Sequence, residues 1–176
     1  MPRGSALDWN ILASMTAPEG PILIAYDGSA AARQAITDAA RLLKPRQTLV
    51  LTVWEAALAY ATVATTQDLS MVPTVDPATV VQVDERLRRQ ADEVSREGAD
   101  LARSLGLDAE PLSAADAGDV ARTILEVARE RHAAAIVMGS RGLSGLRARL
   151  EGSASKTVVK RSECPVIVVH EAADEQ

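Results

Sequence analysis

The sequence predicts a doubly wound α/β fold, with a five-stranded parallel sheet in the order 3-2-1-4-5 and helices on both faces. Short runs of Val, Ile, Leu and Ala alternate along the chain with segments whose apolar residues recur at helical spacing. Strands joined by helices pair in parallel and are covered on both faces, so their runs are continuously apolar. At 176 residues the chain is most simply one domain.

Four apolar runs predict the first, second, fourth and fifth strands. In that order the runs are Pro21–Tyr26, Thr48–Trp54, Ala134–Met138 and Pro165–Val169. The third strand is predicted from the weaker segment Leu107–Ala114. Because Pro111 cannot donate a ladder hydrogen bond, this strand is expected at an edge of the sheet.

The first and last helices are short. Asp27-Gly28-Ser29 is a turn and helix-cap signature, and apolar residues then recur at helical spacing up to Leu43, before Pro45. The last helix is predicted over Ala154–Arg161.

The second helix is the longest, beginning near Asp76-Pro77 and ending at Gly106. Its predicted buried face consists of Val83, Leu87, Ala91, Val94, Leu101 and Leu105. The third helix starts at Gly118-Asp119, and its predicted buried face is Val120, Ile124, Val127 and Ala128.

The predicted domain covers residues 21–170. Residues 1–20 form an N-terminal extension without sustained periodicity, in which Pro2-Arg3-Gly4-Ser5 resembles the remnant of a protease cleavage site. Residues 171–176 are a C-terminal tail. The long connection from Glu55 to Thr79 has no assigned role.

Composition argues against several classes of protein. The net charge is −5, Phe is absent, and there are only two Trp and two Tyr, which disfavours nucleic-acid binding. No apolar run approaches the length of a membrane span. The single cysteine, Cys164, cannot form an intramolecular disulfide, so a reducing compartment and a cytoplasmic location are expected. No histidine spacing indicates a zinc site.

The segment Ala133–Ser155 has the features of an anion-binding device. A buried strand is followed by a loop containing Gly139, Gly142 and Gly152, and then by the start of a helix at Ser153. Glycines let backbone N–H groups approach a phosphate, and a helix N-terminus offers unpaired donors. Residues 139–161 carry a net charge of +5 in a chain that is otherwise −10, which suits a small polyanion. A solvated basic loop is the alternative.

Two common phosphate motifs are missing, namely the P-loop with its lysine and the Gly-x-Gly-x-x-Gly turn after the first strand. The chain has instead Gly139-x2-Gly142-x9-Gly152-Ser153, followed by Cys164-Pro165-Val166-Ile167-Val168-Val169. This pattern, with the first strand leading into Asp27-Gly28-Ser29, resembles the universal stress protein family over about residues 21–169.

The resemblance implies the branch of that family that binds ATP. Asp27 would meet the ribose or adenine, Ala25 and Val53 would line the adenine pocket, and Met138 and Gly139 would lie along the nucleoside. The remaining positions that it implies, near the ribose and phosphates, are Gly142, Gly152, Ser153 and Ala154. The family often has Thr or Val where this chain has Ala154, which keeps a backbone contact but loses a hydroxyl. ATP is the implied ligand, with or without Mg²⁺, and AMP or a cyclic nucleotide is an alternative.

Three functions stay open. The first is a regulatory stress-response protein that holds an adenine nucleotide with little or no turnover. The second is a slow ATPase or nucleotide-dependent transferase, for which Asp27 is the only obvious acid or base. The third is a homodimeric interaction module that pairs through the strand Pro165–Val169. In the simplest alternative, Asp27 caps the first helix or satisfies local backbone donors, Gly139 only ends a strand, and Ser153 is only an N-cap.

Overall fold

A computed structural model describes residues 19–43, 46–56, 77–116, 119–140 and 153–170. In these ranges five strands alternate with four helices. In chain order they are β1 (Ile22–Ala25), α1 (Ala30–Leu42), β2 (Gln47–Glu55), α2 (Pro77–Ser104), β3 (Asp108–Asp116), α3 (Val120–Glu130), β4 (Ala135–Gly139), α4 (Ser153–Arg161) and β5 (Val166–Val169).

The strands form one parallel sheet in the order β3-β2-β1-β4-β5, as the sequence predicts. The central strand β1 pairs on one side with β2, where Ala25 is the partner of Leu51, and on the other side with β4, where Ala25 is the partner of Met138. The predicted edge position of β3 is confirmed. It continues to Asp116, two residues beyond the predicted end, because its polar carboxyl end still pairs with β2.

Side-chain alternation along the central strands builds two separate cores. Ile22, Ile24 and Tyr26 belong to the core on one face, and Leu23 and Ala25 to the core on the other. We call these cores the α1/α2 face and the α3/α4 face, after the helices that supply their other residues. Every residue of β1 is buried, which explains its uninterrupted apolar sequence.

The predicted buried face of α2 is partly wrong. Ala91 is buried and Leu87, Val94 and Leu101 are half-buried, but Val83 and Leu105 are exposed. The side of the helix that is buried carries mainly small residues: Val80, Ala91, Ser95, Gly98, Ala99 and Ala102. Small side chains let the helix approach the sheet closely, and a Cβ atom on Gly98 would lie 2.6 Å from Cδ1 of Tyr26.

The helix ends follow the local sequence signals. Ser29 caps α1 by accepting a hydrogen bond from the Ala32 N–H (3.1 Å), and Asp119 caps α3 in the same way. Helix α2 begins at Pro77 and is followed by Gly106, whose φ of +88° suits a residue without a side chain.

In α3, Ala121, Ile124 and Ala128 are buried and Val120 and Val127 are half-buried, close to the predicted face. None of the helices in the described ranges is long and apolar enough to cross a membrane.

Candidate functional site

The site lies at the carboxyl edge of the sheet, where β1 meets β4. The chain leaves β1 toward β2 on one side and returns to β4 on the other, so the winding direction reverses between these two strands. In open α/β sheets this reversal leaves a crevice beyond the strand ends, where ligands bind. The register of Ala25 opposite Met138 brings Asp27, two residues past β1, to the same edge as Gly139.

Four of the residues predicted from the sequence share the apolar core of the α3/α4 face. Ala25 and Met138 are buried there, with 5% and 1% of their surface exposed, and Val53 and Ala154 are partly buried and pack against this core. Val53 comes from β2 and Ala154 from the first turn of α4. Three strands and one helix therefore contribute to this core, and we call its part at the carboxyl end of the sheet, formed by Ala25, Val53 and Met138, the apolar wall.

Asp27 is half-buried and bonds within its own turn. Its Oδ1 accepts a hydrogen bond from the backbone N–H of Ser29 (3.0 Å), and Gly28 between them has a φ of +80°. Two of the simpler alternatives can be compared with the structure. Ser29, and not Asp27, caps α1. Asp27 does accept a hydrogen bond from a nearby backbone N–H group. This Asx-type turn fixes the carboxylate relative to the start of α1.

Burial raises the pKa of the Asp27 carboxyl above its ordinary value. The hydrogen bonds from Ser29 and the positive charge of Arg33 oppose this effect only partly. The carboxylate is therefore poorly compensated within the protein, and a ligand hydroxyl or amino group that donates to it would stabilise its charged form.

Gly139 has a packing role that the sequence did not indicate. A Cβ atom at this position would lie 2.9 Å from the carbonyl carbon and from Cβ of Ala31, in the first turn of α1. The missing side chain therefore lets α1 approach the end of β4. Gly139 therefore contributes to the packing of α1 against the sheet.

The structure also identifies residues near the site that the sequence did not single out. The Tyr26 carbonyl accepts a hydrogen bond from Thr52 Oγ1 (2.9 Å), and its N–H donates to the Leu51 carbonyl (2.8 Å). The Tyr26 hydroxyl donates to Glu97 Oε1 (3.1 Å), which also accepts from Arg33 Nη2 (2.7 Å). A tyrosine inside an otherwise aliphatic run is the one available signal, since a buried phenol requires a polar partner.

The remaining predicted positions belong to the glycine loop. Gly142 and Gly152 lie outside the described residues, and Ser153 is the first residue of α4. Among the residues that the structure describes, no group of three or more His, Cys, Asp or Glu side chains could hold a metal ion.

Comparison with known proteins agrees with this architecture. The model of the universal stress protein family matches residues 20–170. Universal stress protein YxiE of Bacillus subtilis is 31% identical over 150 residues, which cover 84% of this chain and 97% of that protein.

Solved structures share the fold. Hypothetical protein MJ0577 has a TM-score of 0.65 at 20% identity, over 88% of this chain and 97% of its own. An Arabidopsis thaliana universal stress protein family member with AMP bound has a TM-score of 0.57 at 18% identity, over 89% and 94% of the two chains.

One further universal stress protein was solved in complex with cAMP, and the universal stress protein of Archaeoglobus fulgidus was solved in complex with dAMP. Their TM-scores are 0.55 and 0.52 at 22% and 20% identity, over 87% and 86% of this chain and 98% of each of theirs. At these identities the likeness establishes the fold alone. The family model spans nearly the whole described domain, and on that match the chain belongs to the universal stress protein family.

Proposed function

We propose that this chain binds an adenine nucleotide at the carboxyl edge of β1 and β4 and acts as a stress-response regulatory protein with little or no turnover. The proposal rests on one observation. Asp27 and the end of β4 lie at the same end of the sheet, where its winding direction reverses, next to the apolar wall of Ala25, Val53 and Met138. The complexes of family members with AMP, dAMP and cAMP support the choice of an adenine nucleotide.

Each predicted residue has a distinct task in this proposal. The adenine would contact Ala25, Val53 and Met138, since a base is flat and mainly apolar on its faces. Asp27 would accept a hydrogen bond from the nucleoside, and Gly139 would lie along it. The phosphates would bind the loop and the start of α4, through Gly142, Gly152, Ser153 and Ala154.

ATP, with or without Mg²⁺, is the specific ligand that the resemblance implies, and AMP or a cyclic nucleotide is the alternative. Low turnover is expected because Asp27, the only obvious acid or base, would serve the nucleoside and not the γ-phosphate. Phosphate release above background from bound ATP and Mg²⁺ would favour the slow ATPase instead. A cytoplasmic location stays a prediction from the single cysteine.

A homodimer through β5 is the second part of the proposal. Strand β5 is an edge of the sheet, and Val166, Ile167 and Val168 are only half-buried. The Pro165 and Val169 carbonyls accept hydrogen bonds from the β4 side, from the N–H groups of Ile136 and Ser140. By alternation, the backbone groups of Val166 and Val168 face away from β4 and are available to a second copy of the strand.

Val168→Pro should convert a dimer to a monomer, because it removes an outward N–H group and leaves the bonds of Pro165 and Val169 to β4 in place. Light scattering of wild type and variant at matched concentrations measures this, with circular dichroism to check the fold. A wild-type protein that is monomeric at high concentration, or a variant that stays dimeric, would contradict the proposed interface.

Asp27→Asn should weaken AMP binding by about fivefold to tenfold, because an amide replaces a charge-assisted hydrogen-bond acceptor of about 1–1.5 kcal/mol. Isothermal titration calorimetry measures the dissociation constant. Asp108→Asn is the matched control, since Asp108 is exposed and is the first residue of β3, at the amino ends of the strands. Equal affinity of wild type and Asp27→Asn would exclude Asp27 from the nucleoside contact.

The raised pKa of Asp27 predicts a pH-dependent difference in stability without ligand. As pH rises above about 4, the unfolded chain loses this proton first, so wild type loses stability until Asp27 ionises in the folded state. In the Asp27→Asn variant the side-chain amide has no proton to lose but still offers Oδ1 to the Ser29 N–H. The free energy of unfolding of the variant, measured by urea titration, should therefore rise relative to that of wild type as the pH increases from about 4. A difference that stays constant as the pH increases would contradict the prediction.

A further inference from the structure

We propose that Tyr26, Glu97 and Arg33 form a positioning network that holds Asp27 where it can bind the nucleotide. The inference rests on the proposed function and adds to it residues on the opposite face of the sheet. The network belongs to the α1/α2 face, whereas the apolar wall of the proposed pocket belongs to the α3/α4 face. Asp27 follows Tyr26 at the carboxyl end of β1.

Tyr26 is the residue before Asp27, and it is held at every polar group. Its N–H and carbonyl bond to Leu51 and Thr52 of β2, and its hydroxyl donates to Glu97. The ring is fully buried and packs closely on Gly98, where a Cβ atom would be only 2.6 Å from Cδ1. A shift of this enclosed ring would also move the adjoining backbone of Asp27.

The Glu97 carboxylate also contacts α1, the helix that follows Asp27. Arg33 bonds to Glu97 Oε1 at 2.7 Å, and the Arg33 N–H donates to the Ser29 carbonyl in the first turn of α1 (3.0 Å). Ser29 in turn donates its N–H to the Asp27 carboxylate. One oxygen atom of Glu97 thus ties together both sides of the turn that presents Asp27.

The size of these effects indicates positioning more than stabilisation. The side chains of Arg33 and Glu97 are 50% and 55% exposed, and ion pairs this exposed contribute little to stability. The Tyr26 hydroxyl contributes a single, partly buried hydrogen bond to Glu97. We therefore expect that loss of either interaction leaves the fold intact and loosens the turn around Asp27.

Charge adds a second link between Arg33 and Asp27. The hydrogen bond from Arg33 is the main reason that the pKa of Glu97 is lowered, so Glu97 stays ionised and keeps the guanidinium in place. From that position Arg33 lowers the pKa of Asp27 against the larger effect of burial. The network therefore favours the carboxylate form that accepts the ligand hydrogen bond.

AMP affinity, measured by calorimetry, tests the network. Tyr26→Phe keeps the ring and removes the hydroxyl, and Glu97→Ala removes the shared acceptor. Each should weaken AMP binding by about fivefold, the equivalent of one hydrogen bond. Glu97→Gln, which keeps an acceptor oxygen, should lose less affinity than Glu97→Ala. The matched control is Glu85→Ala, since Glu85 is another exposed glutamate of α2 that pairs with an arginine, Arg89.

A double-mutant cycle separates positioning from a general loss of structure. In the Asp27→Asn background, Tyr26→Phe should have little further effect on affinity, because both changes act through the same contact. Thermal melting checks that each variant folds, and the exposed position of Glu97 keeps the test valid if Tyr26→Phe does not fold. Full additivity of the two changes, or wild-type affinity in both Tyr26→Phe and Glu97→Ala, would overturn the network. Failure of the wild-type protein to bind AMP would instead overturn the proposed function itself, and the network with it.

Discussion

The in-register parallel pairing of β1 with β4 is the constraint on which the rest of the structure depends. These two strands are far apart in the sequence, and their pairing reverses the winding of the chain at the centre of the sheet. It gives the crevice its position, and it brings the turn after β1 to the end of β4. If the pairing moved by one residue, side chains would change faces and Ala25 and Met138 would no longer share a core.

The two faces of the sheet then take different parts in the proposed site. The α3/α4 face supplies an apolar wall from Ala25, Val53 and Met138. The α1/α2 face supplies rigidity, because Gly139 allows α1 to approach β4 closely and Gly98 allows α2 to approach Tyr26. In the proposal, Asp27 is placed by the second face and serves a pocket built by the first. Close packing therefore explains why neither of these two positions carries a side chain.

Much of this architecture could be predicted from the sequence, because the signals involved are local. Continuous apolar runs indicated buried parallel strands, Pro111 indicated an edge strand, and Ser29 and Gly106 marked helix ends. The strand order alone places Asp27 and Gly139 at the same end of the sheet. Gly142 and Gly152 of the loop lie outside the described residues, and their phosphate role stays a proposal.

What could not be predicted depends on contacts between distant residues. Val83 and Leu105 fit the helical period of α2 but are exposed, because small residues on a neighbouring stripe fit closer to the sheet. Glu97 looks like part of a solvated helix face, and its bond to Tyr26, 71 positions away, has no local signal. Pattern and propensity identify which elements exist, whereas the partner of a buried hydroxyl is decided by how those elements pack.

Amide chemical-shift mapping of the full chain with AMP tests the central claim most directly. The account predicts that the largest shifts occur at the carboxyl edge, in the amides of Asp27, Ser29, Met138, Gly139 and Ala154. Residues at the amino edge, such as Ala133 and Ala134, should be unaffected. Shifts confined to the amino edge, or none at saturating AMP, would contradict a nucleotide site where β1 meets β4.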